Sequence, residues 1–148
     1  MVEERSLRNK FKLNHPFLMY SGASDERKNH LRLIKAFSLL PFALRKNYQL
    51  AIVGHIQNYR REKFEECIKL CGLEKNDVVI TGRVTDEEMV RLYNLCELFV
   101  FPSWHEGFGL PPLEAMTCGA AVIAAQGPEH GAADQVLQLA HIAGPGVL

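Results

Sequence analysis

No sign of charge dominates this 148-residue chain, in which 17 Lys and Arg balance 17 Asp and Glu. That balance argues against a general nucleic-acid binder. No apolar run approaches the roughly 18 to 20 residues that cross a bilayer. Met1 to Lys10 is charged and lacks the apolar core of a secretory signal. Cysteine is too scarce for a disulfide-stapled miniprotein: there are four, at Cys67, Cys71, Cys96 and Cys118. The C-x-x-x-C spacing of the first two is not that of a zinc ribbon, and no nearby His pair completes a tetrahedral site. All four read as reduced, packed thiols of a cytoplasmic protein. Also missing are a G-x-x-x-x-G-K-[ST] phosphate loop and an Asp-x-Asp pair for a phosphate-bridging metal. No metal is expected.

Basic residues are absent from the last third. None follows Arg91, so residues 92–148 carry five acids and a charge of −5, against +5 for the first 91. Such asymmetry predicts partners weakly. If the chain holds an anion, its fixed cations must come from the first part.

What is present is a globular composition, 47% apolar and 23% charged, at a length that fits one domain. Short apolar runs alternate with helical patterns. Strands are expected at Phe17–Ser21, Tyr48–Val53, Val78–Thr81, Leu98–Phe101 and Ala121–Ala125. Between them the spacing predicts helices over Arg27–Leu40, Arg61–Cys71 with Gly72 as its cap, Thr85–Cys96 and Pro112–Thr117, and a last one over Ala132–Ala140. Thr85 and Glu88 have the spacing of a capping box. Near-continuously apolar strands joined by helices imply an α/β, Rossmann-like, doubly wound parallel sheet. Residues 1–16 read as a leader or linker segment and 17–148 as the domain proper.

Ligands of such sheets bind beyond the carboxyl ends of the strands, where the strand order reverses. With an order of 3-2-1-4-5 the crevice lies between the loops after strands one and four, Ser21–Lys28 and Pro102–Pro111. These loops also have the oddest composition. Gly107 and Gly109 admit a ligand close to the backbone. The helix start near Pro112 offers unpaired N–H groups to a phosphate, with Lys28 as a second contact. Glu106 and Glu114 suit adjacent hydroxyls of a sugar or ribose. Together they describe a pocket for a phosphorylated, hydroxyl-rich ligand. A plain turn and solvated helix charges would account for the same residues one at a time.

The segment Pro102-Ser-Trp-His-Glu-Gly-Phe-Gly-Leu-Pro-Pro-Leu-Glu-Ala-Met-Thr-Cys-Gly119, with its E-x7-E pair Glu106 and Glu114, resembles the signature of GT-B glycosyltransferase family 4, the group 1 glycosyl transferases. Ser21-Gly-Ala-Ser-Asp-Glu-Arg-Lys-Asn29 resembles the family's first donor-binding loop. Leu31–Leu40, Leu50–Gly54 and Ile80–Glu88 are similar to further family segments in the right order. The resemblance implies the C-terminal half of a GT-B fold, and retaining transfer of a sugar from a nucleotide-diphosphate donor (GDP-, UDP- or dTDP-linked) without an obligatory metal. It further implies that Glu114 holds the ribose, that Glu106 lies at the donor sugar beside His105, and that the amides of Gly107, Phe108, Gly109 and Leu110 meet sugar and diphosphate. Lys28 would neutralise the diphosphate, helped by Arg27, because Ala23 stands where many members carry Arg. Gly22 would allow close approach, and the Thr81, Gly82 and Arg83 backbone would border the base.

The Lys28-Asn29 form of the loop points towards a mannosyl- or rhamnosyl-type enzyme. The family's reaction needs an N-terminal, acceptor-binding domain. The chain is therefore expected to be a donor-binding domain whose acceptor domain or partner chain is missing, inactive or nearly so when alone. The competing reading is a non-catalytic, glycosyltransferase-like interaction module, with self-association as its mark.

Overall fold

A computed structural model describes residues 2–22, 26–103 and 110–124. Five strands, β1 (Phe17–Ser21), β2 (Gln49–Val53), β3 (Val78–Gly82), β4 (Leu98–Phe101) and β5 (Val122–Ala124), form one sheet in the order β3-β2-β1-β4-β5. Every pairing is parallel: Phe17–Ser21 runs alongside Gln49–Val53, while Leu18 and Met19 face Leu98 and Phe99. This is the expected order. The chain steps outward from β1 to β3, then returns across the sheet to β4. With right-handed crossovers, that reversal sends the later helices to the opposite face.

The helices are α1 (Val2–Phe11), α2 (His30–Ser38), α3 (Phe42–Arg45), α4 (Asn58–Leu70), α5 (Asp86–Leu95) and α6 (Leu110–Thr117). Helix α2 packs with α4, and α5 with α6. Covered on both sides, β2 is buried along its whole length, which is why Leu50-Ala-Ile-Val53 reads as an unbroken apolar run. The capping box forms: Thr85 Oγ1 accepts from the Glu88 N–H at 3.2 Å, and Glu88 Oε2 accepts from the Thr85 N–H at 3.0 Å.

Several boundaries differ from the sequence expectation. The helix expected over Arg27–Leu40 is two elements, a 3-10 turn at Glu26–Lys28 and then α2. Asn29 separates them in a left-handed conformation, φ +60°. Helix α2 ends at Ser38, whose carbonyl accepts from Arg45 Nη1 at 2.8 Å, and α3 adds a turn after Pro41. The helix expected over Ala132–Ala140 lies outside the described residues.

Residues 2–13 lie against the domain through one face, with Leu7, Phe11 and Leu13 buried in the same cluster as Phe17 and Leu50. Lys10 pairs with Glu88 and Arg91 with Glu3, so α1 is also bound to α5 by charge. At the amino end of the sheet Gln49 is 2% exposed. Its Oε1 accepts from the His15 N–H at 2.9 Å, and its Nε2 donates to the carbonyls of Lys12 at 3.1 Å and Asn76 at 2.8 Å. All four cysteines are free thiols. Burial above all pushes Cys67 up to about 11 and Cys96 up to about 12, so both stay protonated at neutral pH, as packing residues do.

Candidate functional site

The carboxyl ends of β1 and β2 open into a cavity of about 450 Å³ whose lining includes Ser21, Gly22, Gly54, His55, Tyr93 and Glu114. Its floor is bare backbone. The Gly22 N–H donates to the Val53 carbonyl at 3.1 Å, and the Gly54 N–H donates to the Gly82 carbonyl at 3.2 Å. The glycines ending β1, β2 and β3 thus stand side by side. Gly54 has φ +134°, and a Cβ there would lie 2.7 Å from the Gly22 carbonyl oxygen. A Cβ on Gly22 would meet the Tyr20 hydroxyl at 2.6 Å. Only glycine lets these loops approach so closely, and the same bareness admits a ligand to the main chain.

One wall is polar. Tyr93 is rooted in the last turn of α5 and is 2% exposed, yet its hydroxyl reaches the end of β1, 2.9 Å from Ser21 Oγ. The same hydroxyl donates to Glu114 Oε2 on α6 at 3.2 Å. Burial is the main force raising the phenol to about 12; the Ser21 hydroxyl opposes that rise and Glu114 adds to it. Glu114 itself is exposed, one turn into α6. Its carboxylate stands at the cavity with one oxygen held and further acceptor positions open.

The two loops expected to form the crevice are tied together. Asn29 Nδ2 donates to the Pro102 carbonyl at 3.1 Å, from a side chain that is 7% exposed. Lys28 lies just before it, with Nζ 5.9 Å from the centre of the Phe101 ring at the end of β4. The loops after β1 and β4 therefore meet where the sheet reverses direction.

The structure brings Gly22 and Glu114 into one cavity and sets Lys28 at the adjoining end of β4. Gly82 does not line this cavity; its carbonyl accepts from the Gly54 N–H, which does. Thr81 turns its hydroxyl onto the Gly82 carbonyl at 2.9 Å and borders a separate groove along the outer edge of β3, while Arg83 is exposed. Arg27 is exposed in the 3-10 turn, and Leu110, 61% exposed, is the first residue of α6. His105, Glu106, Gly107, Phe108 and Gly109 lie outside the described residues, as does Ala23. Sequence reasoning places Ser21 and Asn29 in the first loop without a contact for either, and does not single out His55 or Tyr93 as site residues. Strand-end position could have flagged Ser21 and His55. Tyr93 sits in an amphipathic stripe with Leu92, where a tyrosine reads as core.

The profile of the group 1 glycosyl transferases matches residues 2–140. The chain belongs to this family. It is 44% identical over 119 residues to the serotype-specific mannosyltransferase WbdA of Escherichia coli, a match over 80% of this chain and 15% of that protein. The chain thus spans about a seventh of that relative's length. Among solved structures, the sucrose-phosphate synthase of Thermosynechococcus elongatus superposes with a TM-score of 0.78 at 26% identity, over 97% of this chain and 40% of the other. Anabaena HepE, solved with UDP and glucose, shares the fold at a TM-score of 0.71 and 24% identity, over 90% of this chain and 35% of that one. The parallel sheet with helices on both faces is thus the Rossmann-like unit of GT-B glycosyltransferases. Among the described residues no group of three or more His, Cys, Asp or Glu could hold a metal ion, and no helix is long and apolar enough to cross a membrane.

Proposed function

We propose that this chain binds the nucleotide-diphosphate-sugar donor of a retaining glycosyltransferase, with a mannosyl group as the transferred sugar. The observation that carries the reading is the cavity beyond the carboxyl ends of β1 and β2, one strand from the reversal point between β1 and β4, with glycine backbone at its base and the Glu114 carboxylate at its wall. A carboxylate beside unobstructed main chain suits a ribose diol, which offers two adjacent hydroxyl donors. Lys28, held over Phe101, supplies a cation at the neighbouring strand end for the diphosphate. As the bond from the anomeric carbon to the diphosphate breaks, negative charge grows on the leaving oxygens, and a fixed ammonium stabilises that state more than the ground state. Arg27 is the second basic residue of the same turn.

Glu106 and His105 are assigned to the donor sugar, and the amides of Gly107 to Leu110 to the sugar and diphosphate. The backbone from Thr81 to Arg83 is assigned to the base. The acceptor is held by a separate domain. Bringing the two substrates together is worth roughly 7 to 11 kcal/mol of barrier, so this chain alone transfers sugar poorly. The mannosyl assignment is supported by the similarity to a mannosyltransferase, and nucleotide use by the UDP in the HepE structure.

The test is calorimetric titration of the chain with UDP, GDP, UDP-glucose and GDP-mannose, with and without EDTA. The expected result is selective binding that survives EDTA and weakens roughly tenfold or more in Glu114→Ala, which removes a charged acceptor. Absence of binding to all four would refute the donor-site reading.

A further inference from the structure

We infer that Tyr93 is a positioning residue for the donor site: its hydroxyl, supplied with a hydrogen bond by Ser21, holds the Glu114 carboxylate in place for the ligand's ribose diol. This rests on the nucleotide reading above. Three elements converge on one atom, since Ser21 ends β1, Tyr93 lies on α5 and Glu114 on α6. A phenol has a single proton, and an ionised carboxylate only accepts. The Tyr93 proton therefore goes to Glu114 Oε2, 3.2 Å away, and Ser21, 2.9 Å away, must donate its own proton to the phenol oxygen. The donors run in one direction, Ser21 to Tyr93 to Glu114, and end on the one group with acceptor capacity to spare.

The ring is fixed as well. It is buried edge-on against Phe99, with centroids 5.4 Å apart and planes at 69°. Phenylalanine would fill that space equally, and a buried hydroxyl needs a partner to offset its desolvation. What the hydroxyl adds is a tether on Glu114, whose exposed side chain would otherwise sample several rotamers over α6. Binding groups act well only when held within about 0.5 Å of the productive geometry. The high ionisation point of the phenol keeps it a donor throughout the neutral range.

The test compares UDP and GDP with their 2′,3′-dideoxy forms on wild type, Tyr93→Phe, Glu114→Ala and the double variant. Tyr93→Phe is expected to weaken the ribonucleotides roughly tenfold, as loss of a charge-assisted hydrogen bond does, and to leave the dideoxy forms within about twofold. In the Glu114→Ala background the same change should add nothing. Equal weakening of both ligand classes would reduce Tyr93 to a packing residue and overturn the inference, as would no weakening at all.

A second readout needs no ligand. With tyrosine labelled with carbon-13 at Cζ, in equal volumes of light and heavy water, a slowly exchanging Tyr93 hydroxyl splits its resonance. In Glu114→Ala the hydroxyl loses its carboxylate acceptor and turns to Ser21 Oγ, so the pair should move in position or exchange faster; a pair unchanged from wild type in both position and exchange rate shows that the hydroxyl does not donate to Glu114 and overturns the inference. Wild type that binds ribonucleotides and dideoxynucleotides alike refutes the ribose role of Glu114 and with it the role given to Tyr93. The labelled resonance still reports on the tether separately.

Discussion

The two ends of the sheet each bury a polar side chain, and they use it in opposite ways. At the amino end, the Gln49 amide bonds three main-chain groups, those of Lys12, His15 and Asn76. These come from the connections before β1 and before β3, so one side chain closes two loops. At the carboxyl end, the Tyr93 hydroxyl bonds two side chains, and the second is an exposed carboxylate. The first cluster is closed and structural. The second hands its last acceptor to the solvent, and thus to a ligand. Burial alone does not separate the two roles, since each residue is 2% exposed. What separates them is where the chain of hydrogen bonds ends.

Gln49→Ala probes the closed end most severely. It strands the His15 N–H and the Lys12 and Asn76 carbonyls, all part-buried, and empties the space of a buried side chain, and should lower unfolding free energy by about 2 kcal/mol, measured by urea denaturation. The fraction that remains folded should bind nucleotide as wild type does; a matching fall in affinity would erase the distinction between the ends. Gly54→Ala attacks the open end. Its Cβ would press on the Gly22 carbonyl in a backbone region that disfavours side chains, at a cost of about 2 kcal/mol. Here affinity and stability should fall together, because the same backbone forms the cavity floor.

The smallest effect is on pH dependence, read at a place belonging to neither end. Glu88 is held below the ordinary carboxylate value, first by Lys10 and then by the Thr85 N–H. Its folded value is lower than its unfolded one. Its contribution is therefore complete above the unfolded value and lost as pH falls through the folded one. Glu88→Gln should flatten acid unfolding in that window and leave nucleotide affinity unchanged.

The closed and open ends were not equally legible in the sequence. Strand positions and the parallel, doubly wound class follow from apolar runs and short links, and the α5 cap from Thr85 and Glu88, because these are local or periodic signals; the strand order is a supposition that the structure bears out. Gly22 and Glu114 could be placed at the cavity because strand ends and helix starts fix where they go. Gln49 and Tyr93 could not be read this way. Their partners lie 27 to 37 and 21 to 72 residues away, and nothing in the neighbouring residues marks either. The start of α2 was misjudged for a similar reason. Glu-Arg-Lys-Asn-His suits a helix, and what sets Asn29 apart is its left-handed backbone and its bond to Pro102, 73 residues on.

That bond has a consequence for recombination between relatives. Asn29 and Pro102 belong to segments far apart in the chain, yet the side chain of one is cut to fit the main chain of the other. Because the acceptor is a main-chain carbonyl, which every residue type supplies, a chimera that changes residue 102 keeps the bond as long as the backbone there follows the same course. A chimera that takes its first loop from a parent without the Asn loses it, so inheritance of this tie follows position 29 and not position 102.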